Sequence, residues 1–528
     1  MSRATATWPG SRLGGFLPIE AATSAIVVFA IGVLTLAALV FGNGNVWVAI
    51  APIAGVITLW AIAKSPVRNT LFVLFFLGLA LDRPGDADTR WESWFSSVGG
   101  LIVYNVSETI PNVPIKLSGL WLILILLLLI RTHRSLTGRI VDVPGAVPMA
   151  PPMRLAVAVS SLTVVWLIIL GAITGGDIQM AKVQVQVILA LLLLAYLLAP
   201  SLRVPTDYRT LGTIVVTAAC CKALLALWIR HLFPGETVGR FGIGELDFAT
   251  SHGDSLLFTS AIMMLLVTLA FQPTKRHFAA FVGLGTLIFA GMVANDRRVG
   301  WAELGLGFIL FLALNPRNWI TRKLVRATVL ALPVILVYVA VGWNVQSRVF
   351  RPVQTIRSMV EPQRLDGSID RSTLFRDVEN YNLIYTFQQN PVVGRGFGHG
   401  FDSPVPNDLR GFKEYAYLPH NSVLGLMGFA GGLGVLGLLA PIVVALFLAA
   451  RTHGMTKTPE ISMAAMVVIA NLGAYLVHMW GDIGFTEPTS IFTVGPSLAV
   501  ASQVAVSTGA WRVAPIGLAQ LQLGTEGR

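Results

Sequence analysis

The most constraining feature of this chain is the recurrence of apolar stretches about as long as a bilayer core is thick. A membrane-spanning helix needs about 20 mostly apolar residues. Such runs lie at 21–41, 46–63, 67–81, 117–130, 155–173, 183–199, 211–229, 255–271, 278–294, 300–314, 327–343, 421–449, 461–479 and 489–507. They predict an all-α, polytopic membrane protein of about 14 transmembrane helices with a large, partly helical outer loop. The third and fourth runs are short, so one of them is a candidate re-entrant segment. Composition agrees: 12% of residues are charged, against about 25% in a soluble domain. With a mean hydropathy of +0.71, an ordinary soluble enzyme is excluded. Cys220 and Cys221, the only cysteines, are adjacent in one run, which excludes a disulfide scaffold. The apolar content and the lack of low-complexity tracts exclude disorder. The net charge of +11 points to cytoplasmic loops before nucleic acid, and no nucleic-acid partner is expected.

Lys and Arg in short loops set orientation. With the N-terminus in the cytoplasm, the inside loops hold sixteen, among them Arg131, Arg209, Lys323 and Arg451. The short outside connections hold only Lys182, Arg297 and Arg298. Both termini are then expected inside, with the first run retained because no signal-peptide pattern precedes it. The chain divides into N-terminal membrane helices at 21–343 (about 11 spans), a large outer loop at 344–420, and C-terminal membrane helices at 421–507 (about 3 spans). A loop this long is usually functional. Within it Asp370 is placed to cap a helix at 371–389, with Leu374, Val378, Tyr381 and Tyr385 on one face and Asn390-Pro391 as the stop.

Four constellations bear chemistry. Arg297 and Arg298 sit between two spans at the outer mouth. They are either headgroup anchors or a fork for an anion such as a lipid diphosphate. The long loop carries eight Arg and one Lys against eight carboxylates. That is a salt-bridged cap in which Arg is chosen over Lys, and Arg favours bidentate recognition of phosphate or carboxylate. Gly394-Arg395-Gly396-Phe397-Gly398-His399-Gly400 reads equally as an anion-binding nest or a tight turn. His420-Asn421, followed by Gly431 and Gly434, stands where the loop re-enters the membrane. His420 is either a helix cap or a base able to take a hydroxyl proton. Asp86-Ala87-Asp88 has the spacing of a divalent-metal pair but also reads as a polar turn. His478, Asp482 and Glu487, and likewise His252 and Asp254, lie at span ends without a clear role. The span interiors read as almost free of charge, which counts against a transporter.

Taken in order, these segments resemble the bacterial O-antigen ligase and polysaccharide polymerase superfamily. Arg298-Val299-Gly300-Trp301 is similar to its Arg-small-small-Trp segment. Arg371 with Phe375, then Asn390-Pro391-Val392-Val393-Gly394-Arg395-Gly396, is similar to its R-x3-W … P-x-x-G-x-G stretch. His420-Asn421 with Gly431 and Gly434 is similar to its H-N … G-x-x-G segment. The resemblance covers residues 210–450. Phe375 replaces a usual Trp, Arg297 a common Ser, and Val435 a Thr frequent in ligases; Val435 and the count of about fourteen spans lean the reading to polymerase.

The resemblance implies a glycosyltransferase of the bacterial inner membrane with its active site facing the periplasm. It would move a glycan from an undecaprenyl-diphosphate carrier to an acceptor hydroxyl, with inversion and with no cofactor or metal. Arg298 and Arg371 would hold the diphosphate and His420 would be the base. Arg297, Arg376, Arg395 and Asn421 are expected to bind substrate. The partners are the lipid-linked glycan, the acceptor and membrane lipids. The alternatives are a metal-dependent lipid-linked glycosyltransferase using Asp86 and Asp88, and a non-catalytic lipid or polysaccharide transporter.

Overall fold

Apolar runs bounded by caps and by Gly and Pro become helices, and the computed structural model has no strand among its described residues, 82% of which are helical. The structure describes residues 32–33, 35–36, 46–81, 94–103, 105–106, 116–137, 148–232, 249–295, 297–314, 319–345, 350, 353, 357, 368–406 and 415–511. The run at 21–41 and the Asp86–Asp88 pair fall outside them almost entirely or wholly.

Contacts divide the chain into two units at Pro66. The first unit contributes α1 (Val46–Lys64), which closes on the cation Lys64.

The second unit holds α2 (Val67–Ala80), α3 (Trp94–Val103), α4 (Gly119–Leu136), α5 (Pro151–Ile173), α6 (Ile178–Leu198), α7 (Thr206–Leu232), α8 (Asp254–Phe271), α9 (Lys275–Asn295), α10 (Arg298–Leu314), α11 (Trp319–Gly342), α12 (Ser368–Gln389), α13 (Ser422–Met455), α14 (Pro459–Gly481) and α15 (Thr489–Ser507). Ten described helices are long and apolar enough to cross a membrane. The segment at 67–80 yields a shorter apolar helix, and α10, with 17 residues, is also short of that length. The short run at 117–130 instead extends through Arg131 and Arg134 into a full-length helix.

Caps explain several boundaries. Asp177 accepts from the backbone of Gln179 and Met180 to start α6. Asn421 does the same for α13 through Leu424 N. Two prolines open α5, where the missing N–H costs nothing.

α15 lies deep in the bundle against α6, α13 and α14. Some of its hydroxyls bond within the helix, as where Ser497 donates to the Thr493 carbonyl at 2.8 Å, and others bond outside it, as where Ser490 donates to the Gly484 carbonyl at 2.7 Å. α11 is the opposite case: Leu330, Val334, Val337 and Val341 are all exposed, as lipid-facing side chains would be.

Two ends of the bundle separate clearly. At one, Arg209 pairs with Glu460 at 3.2 Å, His453 meets the Leu314 carbonyl, and Arg451 donates to the Ala510 carbonyl. At the other, the turns 173–178, 249–254, 295–298 and 481–489 gather beneath α12 and the start of α13. Asp177 N donates to Gly398 O, Thr250 N to Asn295 Oδ1, and Ser422 Oγ to Asp482 O. The second end carries the candidate site.

Candidate functional site

The loop helix α12 lies against α13 with a face the sequence pattern does not predict. The apolar stripe points away: Leu374 is 64% and Tyr381 57% exposed. The buried face is Glu379, Asn382, Leu383 and Thr386. Hydrogen bonds reverse the usual preference, because each buried polar group is partnered. Asn382 bonds both N and O of Val405. Thr386 Oγ1 accepts from Asp402 N at 2.8 Å.

Glu379 is the centre of that face. Its carboxylate accepts from Tyr415 Oη at 2.7 Å, from the His420 backbone N–H, and from His420 Nδ1 at 3.0 Å. Glu379 is buried while His420 is 35% exposed, so the imidazole reaches from a dry anchor toward open space. An ionised carboxylate only accepts, so Nδ1 is the donor in this contact, and the neutral form of the ring then has its lone pair on Nε2. The sequence reading missed Glu379; its only trace was a carboxylate on the loop helix 41 residues before His420. Asn421 donates to Asn380 Oδ1 at 3.1 Å while capping α13, which ties the two helices at the same point.

The glycine-rich segment docks the loop. Gly394, Gly396 and Gly398 take φ of 70°, 86° and 96°, a region that favours glycine. Gly396 N donates to Phe429 O, Phe397 N to Leu167 O, and Gly398 N to Gln184 Oε1. These N–H groups are engaged with protein oxygens, so the tight-turn reading fits and the anion nest does not. Gly171 and Gly431 receive the turn: a Cβ on Gly171 would lie 1.8 Å from Phe397 O, and one on Gly431 would lie 2.5 Å from Gly394 N. Gly431, at φ 61°, breaks α13 there, and Gly432 N and Leu433 N pair with Pro391 O and Val392 O. Arg395 forms a two-pronged pair with Asp402 of the same loop, one arm at 2.7 Å.

Beside the dyad lies a second polar cluster. Asp482 follows α14 and hydrogen-bonds His252, and Arg376 of α12 acts on the same carboxylate. Burial pushes the Asp482 carboxyl up, but His252, Arg376 and His478 together hold it well below the usual range. Burial raises the neighbouring Glu487 carboxyl, against the pull of His252 and His478. Deeper, His478 Nδ1 meets Glu303 at 2.7 Å, and Lys222 meets Asp254 at 3.3 Å, all four wholly or almost wholly buried. The expectation of nearly charge-free spans is thereby overturned. Lys222 and Glu303 stand in the interiors of α7 and α10, where partners offset the cost of burial. Their signal was present in the sequence as charges inside apolar runs.

Arg297 is buried beside the Thr250 carbonyl, and Arg298 begins α10, half-buried. Val299 and Gly300 pack against Gly481 and Ser255, so this helix start borders the His252–Asp482 cluster. The structure therefore brings Arg297, Arg298, Arg376, His420 and Asn421 to one end of the bundle. Arg395 is there too, but paired with Asp402. Arg371 lies in the first turns of α12, and its side chain is outside the described residues. Among the described residues, no group of three or more His, Cys, Asp or Glu is arranged to hold a metal ion. Set against protein-family models and curated protein sequences, the chain finds no match in either.

Proposed function

We propose that this multi-pass membrane protein is a glycosyltransferase of the O-antigen ligase and polymerase type. It transfers a glycan from an undecaprenyl-diphosphate carrier to an acceptor hydroxyl on the periplasmic side of a bacterial inner membrane, without a metal and with inversion. The observation that carries the reading is the Glu379–His420 pair. A base needs an imidazole with one nitrogen anchored and the other open toward substrate, and this geometry supports that role. In the reaction the acceptor oxygen bonds to the anomeric carbon and its proton passes to His420 Nε2. The anomeric carbon–phosphate oxygen bond breaks, and its electron pair leaves with the diphosphate. Arg298 and Arg371 match the charge that develops there. Arg376 stands beside the pair, while Arg297 and Asn421 are buried and support the site from within. The lean toward polymerase rests on Val435.

One observation favours a second reading. Charged pairs buried between spans are what a transporter of lipid-linked glycan would also carry. The test uses the purified protein in vesicles with a polyprenyl-diphosphate glycan and an acceptor glycan, read by mass spectrometry. A new glycosidic bond, absent in His420→Ala and unchanged by EDTA, is the expected result. Movement of the lipid across the bilayer without a new bond favours the transporter. Transfer lost in EDTA and restored by magnesium or manganese favours the metal-dependent enzyme.

A further inference from the structure

The proposed transfer uses Glu379 and His420 but leaves the Glu303–His478 pair unexplained. Both side chains are fully buried, one on α10 and one on α14. Glu303 also accepts from Ser255 Oγ at 3.3 Å and Thr259 Oγ1 at 3.4 Å, so its oxygens are held from α8. With Nδ1 donating to Glu303, neutral His478 turns a lone pair outward on Nε2. That atom is buried and has no hydrogen-bond partner among the described residues. A proton bound there makes the ring a cation beside a carboxylate, and the attraction between the two is what favours it. Asp254 Oδ1 nearby is likewise without a hydrogen-bond partner.

The surrounding charges favour such a proton. His478 faces Glu303 of α10 and, from the turn after its own helix, Asp482 and Glu487. His252 and Asp254, at the start of α8, and Lys222 of α7 complete that side, and Arg376 of α12 and Arg297 reach the same end. The neighbouring faces of α9 and α13 contribute Asn295 and Ser422, which carry no charge. Lys222, Arg297 and Arg376 thus stand among four carboxyls, Asp254, Glu303, Asp482 and Glu487, and Arg298 borders them at the start of α10. In a low-dielectric interior groups this close interact strongly, so the histidines and acids bind protons as a set rather than singly.

We propose that the Glu303–His478 pair is a reversible proton-binding site, reached through Asp482 and His252, that receives the proton His420 takes from the acceptor. The link is spatial: Ser422, two residues beyond His420, donates to the Asp482 carbonyl at 3.0 Å. Arg376, one turn from Glu379 on α12, acts on the Asp482 carboxylate. The proton's destination rests on the transferase reading; the binding site itself does not.

The experiment is a histidine titration by nitrogen-15 NMR of the full-length protein in nanodiscs, with His478→Gln assigning the resonance. The expected result is that His478 changes protonation between about pH 5 and 9. Glu303→Gln should move that midpoint down by about one unit or more, since a facing carboxylate favours the imidazolium. Ser255→Ala, which removes one donor to Glu303 and keeps the charge, serves if Glu303→Gln does not fold, and should move the midpoint up. A His478 fixed in one state across the range overturns the proposal and leaves a structural pair. Transfer in Glu303→Gln should lose its dependence on pH in the window where His478 titrates, with KM for the acceptor little changed. An unaltered pH profile sinks the coupling to His420. A titrating His478 in a protein that makes no glycosidic bond upholds the site and removes the transferase reading.

Discussion

Glu379 Oε2 lies 3.0 Å from His420 Nδ1, across the joint between the loop helix and the helix that returns to the membrane. Tyr415 donates to the same oxygen, so the carboxylate is held in place before it orients the ring. His420 is therefore positioned by the loop helix and by the start of α13 at once.

If that pair orients a base, Glu379→Gln should lower transfer by about 100-fold or more, within the range expected of lost base catalysis, with KM little changed. His420→Ala should fall to background in a monodisperse sample. Rates on purified variants check both, and a fully active Glu379→Gln would remove the dyad from the mechanism.

Arginine geometry gives a contrast. Arg298→Lys and Arg371→Lys keep charge but lose the two-pronged fork, so each should be severely impaired. Arg395 already holds Asp402, and both side chains are partly exposed, so Arg395→Lys should stay near normal and cost under about 1 kcal/mol. Equal loss at all three positions in the same transfer assay would refute this division.

Loop docking depends on absent side chains. Gly171→Ala drives a methyl into the Phe397 carbonyl, and Gly431→Ala adds one where φ is 61°. Each should lower stability by about 1–3 kcal/mol or more and loosen the loop. Thermal unfolding in detergent and proteolysis between 390 and 420 report this; unchanged protection would show that the turn yields without cost.

The Lys222–Asp254 pair allows a double-mutant cycle. Lys222→Met leaves a buried carboxylate uncompensated and should destabilise by about 3–5 kcal/mol. Adding Asp254→Asn should recover most of that loss. Melting temperatures of the four proteins decide, and simple additivity would mean the two side chains do not act together.

Much of this molecule was legible without coordinates. Apolar runs longer than about 17 residues become helices because a backbone removed from water must bond to itself. Asn421 and Asp177 stop or start helices through contacts two or three residues away, and Asn390-Pro391 ends α12 for equally local reasons. His420 was marked by its place at the end of the long loop. What the sequence could not determine is which distant groups meet. The apolar stripe of α12 does not mark its buried face, because Glu379, Asn382 and Thr386 find partners only when α12 lies on α13. Glu303 and His478 are 175 residues apart, and His252 and Asp482 230. Short-range pattern records hydrophobicity and turns, whereas a buried ion pair is selected by packing, which alone decides whether a charge inside a span has a partner.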